Sequence, residues 1–312
     1  KKNMKRLRLV PDNTNIAFIS KRYIALALSA CLLLGSFGLL GGKGLNLGID
    51  FLGGILMEVK TKGPADVGAL RSKIGSLGLG EVSIQEFGAP DDVLIRVQRQ
   101  EGGDKQQQKA VKIISDAIVD DVIEFRRTET VGPTVGSELK QSAILAILMS
   151  IGAILLYVWF RFEWQFGLGA IIALTHDVIT TLGLFALLNL EFNLASVAAL
   201  LTIAGYSIND TVVIYDRVRE NMRKYKKMPL TELFNKSVNE TLARTVMTSV
   251  TTLLALTALL VFGGEVIRGF SIALIWGVLI GTYSSVALAV PMLLYLKVQR
   301  ADDTENSAQA AS

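Results

Sequence analysis

Cysteine and histidine are almost absent: Cys31 and His176 stand alone among 312 residues. No disulfide can close within the chain, no thiolate cluster can form, and the paired histidines of zinc sites are missing. No cleavable leader is expected either. The first apolar run, Ile24 to Leu40, has no convincing small-residue cleavage site and leads straight into a folded segment, so it reads as an anchor. The chain opens on Lys1 rather than Met, which leaves the completeness of its N-terminus open.

What is present is hydrocarbon: 51% of residues are hydrophobic and the mean hydropathy is +0.44, too apolar for a water-soluble domain. Charge is sparse in six runs, Ile24 to Leu40, Leu139 to Phe160, Phe166 to Leu188, Leu194 to Tyr215, Val246 to Phe262 and Phe270 to Tyr295. Each has the length, roughly 17 to 25 residues, that a helix needs to cross the hydrocarbon of a bilayer. The net charge of +4 says little until it is mapped onto sides. Lys1, Lys2, Lys5, Arg6, Arg8, Lys21 and Arg22 precede the first run, with Asp12 the one acid among them. Arg217, Arg219, Arg223, Lys224, Lys226, Lys227 and Lys236 follow the fourth. The positive-inside rule then places both termini in the cytoplasm and residues 43–138 on the outer side. The expected organisation is a cytoplasmic segment 1–22, a first span 23–42, a soluble insert 43–138, a five-span region 139–300 with a cytoplasmic loop over 216–245, and a disordered tail 301–312.

In the insert, Ile55 to Thr61, Val82 to Phe87, Val93 to Arg99 and Val122 to Val131 read as strands, with a turn at Ala89-Pro90-Asp91-Asp92. Ala65 to Ser76 reads as a helix, and Asp104 to Asp120 as another, with Ala110, Ile113, Ile114, Ala117 and Ile118 at helical spacing. The order βαββαβ predicts a ferredoxin-like α+β domain. Asp50, Gly53 and Gly54 before its first strand, and Gly132 and Pro133 after its last, read as its connectors to the membrane. In the last span, Gly277, Gly281, Ser285 and Ala289 make a small-residue stripe suited to close packing.

An ionisable side chain in hydrocarbon costs at least about 2.5 to 3.5 kcal/mol near the helix centre, so each needs a partner, water or a function. Asp210 lies about 8 Å from the inner end of the fourth span at 1.5 Å per residue, with Thr202 and Tyr206 on its side and Asn209 adjoining. Arg244 opens the fifth, with Thr248, Thr251 and Thr252 on its face. Facing each other, Asp210 and Arg244 would form a pair released by protonation of the carboxylate; otherwise the pair fixes helix packing, or Arg244 snorkels to headgroups. His176 and Asp177 fall near the midplane of the third span. Adjacent helical residues diverge by about 100° and do not share a face. A relay and a hydrogen-bonded structural role are both open for them, whereas a hydrolase is disfavoured because no nucleophile pattern or second metal ligand accompanies them.

These segments together resemble the SecF proteins of the SecD/SecF family. The resemblance is carried by Gly48 to Gly54, Val131-Gly132-Pro133, Ala204 to Val213, Tyr215 to Asn221, Asn239 to Thr245, Thr248-Ser249 and Thr251-Thr252, and extends over nearly the whole chain. It implies a non-enzymatic, multi-pass subunit of the bacterial inner membrane, with residues 43–138 periplasmic. Such a subunit works with SecD, the SecYEG channel and YajC, and uses the proton-motive force to complete preprotein export after SecA has acted. It also implies kinship with the resistance-nodulation-division transporters, a proton-handling role for Asp210 and Arg244, protons as the coupling ion and no cofactor. Thr248, His176 and Asp177 are secondary candidates, and no metal or nucleic acid is expected. Against this stand a homodimeric small-molecule exporter, an intramembrane hydrolase on His176 and Asp177, and a passive assembly scaffold.

Overall fold

A computed structural model describes residue 11, residues 14–296 and residue 298. The expected disordered tail 301–312 and the first ten residues of the basic N-terminal segment lie outside the described residues. A 3-10 turn, Ile19–Lys21, leads into α1 (Arg22–Gly42). The soluble domain follows: β1 (Asn46–Leu47), α2 (Ile49–Leu52), β2 (Gly54–Thr61), α3 (Val67–Gly75), β3 (Val82–Phe87), β4 (Ala89–Val97), α4 (Asp104–Ile118) and β5 (Val122–Val131). The chain then enters α5 (Pro133–Arg161), α6 (Trp164–Leu188), β6 (Glu191–Phe192), α7 (Leu194–Lys224), α8 (Leu230–Phe262) and α9 (Arg268–Ser284). A π-helical turn over Ser285–Ala289 joins α9 to α10 (Val290–Tyr295). Six helices, with the last running from Arg268 to Tyr295, are long and apolar enough to cross a membrane.

The sheet has the strand order β3-β4-β2-β5, antiparallel throughout, which is compatible with the ferredoxin-like expectation. Ile55, Met57 and Val59 alternate along β2 toward α3 and α4, where Ile74, Ile114 and Ile118 complete a dry core. Asp66 caps α3 by accepting from the Ala69 N–H at 2.9 Å. One boundary is corrected. The reversal between β3 and β4 is made by Gly88 at φ 91°, so the expected turn at Ala89–Asp92 is already strand, with Ala89 paired to Phe87. A positive φ suits glycine, and this leaves Pro90 near the start of the strand.

The expected cytoplasmic loop 216–245 is also corrected: it is a helical hairpin, α7 continuing to Lys224 and α8 starting at Leu230. At 31 and 33 residues, both helices exceed the roughly 20 residues a bilayer core needs, so their polar ends project from it. Val218, Leu233, Phe234 and Val238 sit at helical spacing and are buried together with Ile19, a stripe hidden among many charges. Asn239 and Asn235 accept from the Ile16 and Ile19 N–H groups, both at 2.9 Å, strapping the chain before α1 onto the hairpin.

The small-residue stripe packs as expected. Gly277 lies against Ile203 and Gly281 against Ser207, Ser285 bonds Thr211, and the Tyr215 hydroxyl donates to the Ala289 carbonyl, so α7 and α9 run in register. Pro291 has no N–H to give and crowds the preceding turn, which accounts for the widened π turn beside it. In α1, by contrast, Gly35 and Gly38 touch nothing, and the close approach is made by Ser36 on Gly183 and by Ser29, which bonds Tyr283 at 3.0 Å.

Gly54 has φ 134°, and a Cβ there would meet the Val97 carbonyl at 2.6 Å. Gly54→Ala should therefore cost about 1 to 3 kcal/mol, whereas Gly63→Ala, in open space at an ordinary φ, should stay within about 0.5 kcal/mol. Thermal unfolding of the full chain in detergent measures both, and equal midpoints would refute the strained-turn account.

Candidate functional site

The polar side chains of the bundle gather where α6, α7 and α9 meet. Asp177 on α6 is fully buried, and its Oδ2 accepts from Ser207 of α7 at 2.6 Å and Ser284 of α9 at 2.7 Å. Its Oδ1 lies 2.9 Å from His176 Nδ1. The expectation that adjacent residues diverge thus needs correction: the Cβ directions differ, but the side chains curl back far enough to bond. Asp177 looks into the α7–α9 contact, while the His176 ring lies 6.2 Å from Tyr283 and its Nε2 has no hydrogen-bond partner among the described residues. The Tyr283 hydroxyl in turn donates to the Ala25 carbonyl of α1 at 2.7 Å. One carboxylate therefore ties three helices together, and Tyr283, beside its histidine neighbour, ties in α1.

Around this hub run hydroxyl contacts. Ser285, in the π turn, bonds Thr211 at 2.8 Å and the Ser207 carbonyl at 3.3 Å. On the other side of α7, the Tyr206 hydroxyl reaches Ser249 of α8 at 3.5 Å, and Ser249 bonds Thr282 of α9 at 2.7 Å. The serines were missed in the sequence because a small hydroxyl residue in an apolar run reads as packing. The available signal was Ser207 and Thr211, four apart and flanking Asp210.

Asp210 is buried, and its Oδ2 has no hydrogen-bond partner among the described residues. Arg244 is exposed, and no ion pair joins it to Asp210 among the described residues. Of the alternatives that the sequence leaves open, a direct pair is therefore not formed among the described residues. Thr202 and Asn209 are exposed, and Thr248 donates to the Thr245 carbonyl of its own helix at 2.9 Å. Of the two expected stripes, Tyr206 is the member that touches α8, through Ser249.

The two connectors are brought together. Gly53 turns at φ 72°, and a Cβ on Gly136 would lie 3.2 Å from its N–H nitrogen, so α2 stacks on the start of α5, whose first residue is Pro133. A Cβ on Gly132 would meet Asp104 Oδ1 at 3.1 Å. Asp50 accepts from the Leu194 N–H at 2.9 Å, where the positive end of the α7 dipole favours a carboxylate. Beside it, β1 pairs in parallel with β6, and Arg96 of β4 forms an ion pair with Glu191. No group of three or more His, Cys, Asp or Glu side chains is placed to hold a metal among the described residues.

Asp177→Ala, which strips three bonds from a fully buried centre, is expected to cost about 2 kcal/mol or more, and Ser284→Ala about 1 kcal/mol. Thermal unfolding in detergent would read this order, and an Asp177→Ala midpoint equal to the parent's would deny the hub a structural role.

The geometry has counterparts among known proteins. A family model described as "Protein export membrane protein SecD/SecF, C-terminal" matches residues 111–299, and one described as "SecD/SecF GG Motif" matches residues 38–65, which include Asp50, Gly53 and Gly54. The protein translocase subunit SecF of Rickettsia bellii is 45% identical over 290 residues, covering 92% of this chain and 95% of its own. That of Cereibacter sphaeroides is 46% identical over 310 residues, covering 97% and 96%. The crystal structure of SecDF from Thermus thermophilus, a translocon-associated membrane protein, matches with a TM-score of 0.83 at 36% identity over 91% of this chain. This chain spans only 39% of that longer one. With one family model over more than half of its length and relatives at 45% identity end to end, the chain belongs to the SecD/SecF family of protein-export membrane proteins.

Proposed function

We propose that this multi-pass membrane protein is a proton-coupled subunit of the Sec machinery, acting with SecD beside the SecYEG channel and YajC to complete preprotein export after SecA. A Sec-associated role in protein export goes with its family; the proton coupling is our reading. The observation that carries it is Asp210, a carboxyl buried inside a membrane helix with an oxygen left without a hydrogen-bond partner among the described residues. Intramembrane ionisable groups of this kind mark ion pathways.

In this reading, residues 43–138 face the periplasm, the α7–α8 hairpin and both termini face the cytoplasm, and the membrane is the bacterial inner one. A proton entering from outside neutralises Asp210 and cancels its attraction to Arg244, which biases α7 against α8. The membrane potential supplies about 2.3 kcal/mol per 100 mV for each charge moved, enough to tip a two-state element. His176 and Asp177 hold the bundle around this step, and Thr248 lines the same helix as Arg244. The movement reaches the soluble domain through the start of α7, which Asp50 caps and which follows β6. The domain then holds or pulls the emerging polypeptide and opposes its backsliding.

Export of a preprotein into inverted membrane vesicles, with SecD co-expressed, tests the coupling. Asp210→Asn should abolish the gradient-stimulated part of export and spare both complex assembly and the gradient-independent part. Equal stimulation in parent and variant would leave the passive scaffold as the better reading. A second test fixes the transmission: Leu47→Cys with Phe192→Cys, placed across the β1–β6 pair in a Cys31→Ser background, should lose stimulation when oxidised and regain it on reduction. Undiminished stimulation of the oxidised form would refute movement at this joint.

A further inference from the structure

The register of α7 against α8 can be read from their cross-contacts. Asn221 donates to Ser237 at 3.0 Å, Arg217 pairs with Glu240 at 3.5 Å, and Tyr206 reaches Ser249 at 3.5 Å. The helices are antiparallel, so one turn up α7 from Tyr206, at Asp210, corresponds to one turn down α8 from Ser249, at Thr245. Burial agrees: Ser237, Thr241, Thr245 and Ser249 form the covered face of α8, whereas Arg244 is exposed. Thr245 is 1% exposed and Asp210 3%. Among the described residues, Thr245 Oγ1 and Asp210 Oδ2 are both buried without a hydrogen-bond partner, and the register of the cross-contacts puts them at the same level of the two helices.

A buried hydroxyl or carboxyl oxygen seldom goes unpaired, because each such loss costs about 1 to 3 kcal/mol. Two of them at one level of a helix contact are the polar surroundings that an ordered water needs. We propose that Thr245 is the positioning residue of the Asp210 carboxyl and holds it through one bridging water. A hydroxyl fits this place because it is both donor and acceptor. The Thr245–water pair donates to the carboxylate when Asp210 is charged and accepts from the carboxyl O–H when it is protonated, so Asp210 keeps a partner in both states. Thr248, four residues from Arg244, does not fill this role here: its hydroxyl is turned back to its own helix.

The proposal rests on the proton-coupling reading of Asp210, and the test separates the two. Infrared difference spectra of the complex with SecD, recorded across a pH jump, would locate the protonated carboxyl band that Asp210→Asn removes. Thr245→Val, which matches threonine in shape, should shift that band to higher frequency by stripping its hydrogen bond, and should lower gradient-stimulated export about tenfold, as expected for a hydrogen bond to a charged group. Thr245→Ser should restore both. If Asp210→Asn removes no band, the proton reading falls and takes this proposal with it. If the band exists and Thr245→Val leaves it in place, or Thr245→Ser fails to restore it, the assignment of Thr245 alone is overturned.

Discussion

The contact between α7 and α9 is the constraint on which the rest of the bundle depends. Gly277 and Gly281 let α9 close onto Ile203 and Ser207, and Ser285 and Ala289 continue the line to Thr211 and Tyr215. In lipid there is little hydrophobic drive between helices, so association relies on close packing and on hydrogen bonds that only close packing allows. With larger residues on α9, Ser207 and Ser284 would stand too far apart to share one oxygen of Asp177. The buried carboxyl would then lack the donors that make its place in the core tolerable.

Two acids in the same bundle are treated in opposite ways. Asp177 accepts from Ser207 and Ser284, bonds His176, and is enclosed by α6, α7 and α9. Asp210, a turn away along α7 from Ser207, has one oxygen without a hydrogen-bond partner among the described residues. A fully satisfied group has little reason to change its state, whereas an incompletely satisfied one responds to whatever arrives. The first therefore suits a fixed joint and the second a site of exchange, although both are aspartates in apolar helices.

Long-range order was legible in the sequence to the extent that it is written in hydropathy and period. The six apolar runs, the strands Val82–Phe87 and Val122–Val131, and the helix opening at Asp104 stand where composition and alternation put them. The hairpin over 216–245 was hidden because its charges mask Val218, Leu233, Phe234 and Val238, which matter by spacing rather than by number. The turn at Gly88 was hidden because Pro90 and two aspartates are louder turn signals than one glycine. Within the site, Asp210 and Asp177 announced themselves as charges in hydrocarbon. Ser207, Ser284 and Thr245 did not, because whether a hydroxyl meets a carboxylate is decided by the register between helices, which no single run encodes.

The joint between β1 and β6 has a mechanical consequence. The soluble domain is covalently continuous with α1 and α5, which bury little of their surface, yet its Arg96 and the strand that leads into it grip the turn between α6 and α7. In the proposed mechanism, force on the sheet thus has a third route into the bundle besides the two covalent links, through the turn at Glu191 and Phe192 between the two helices that carry the buried acids.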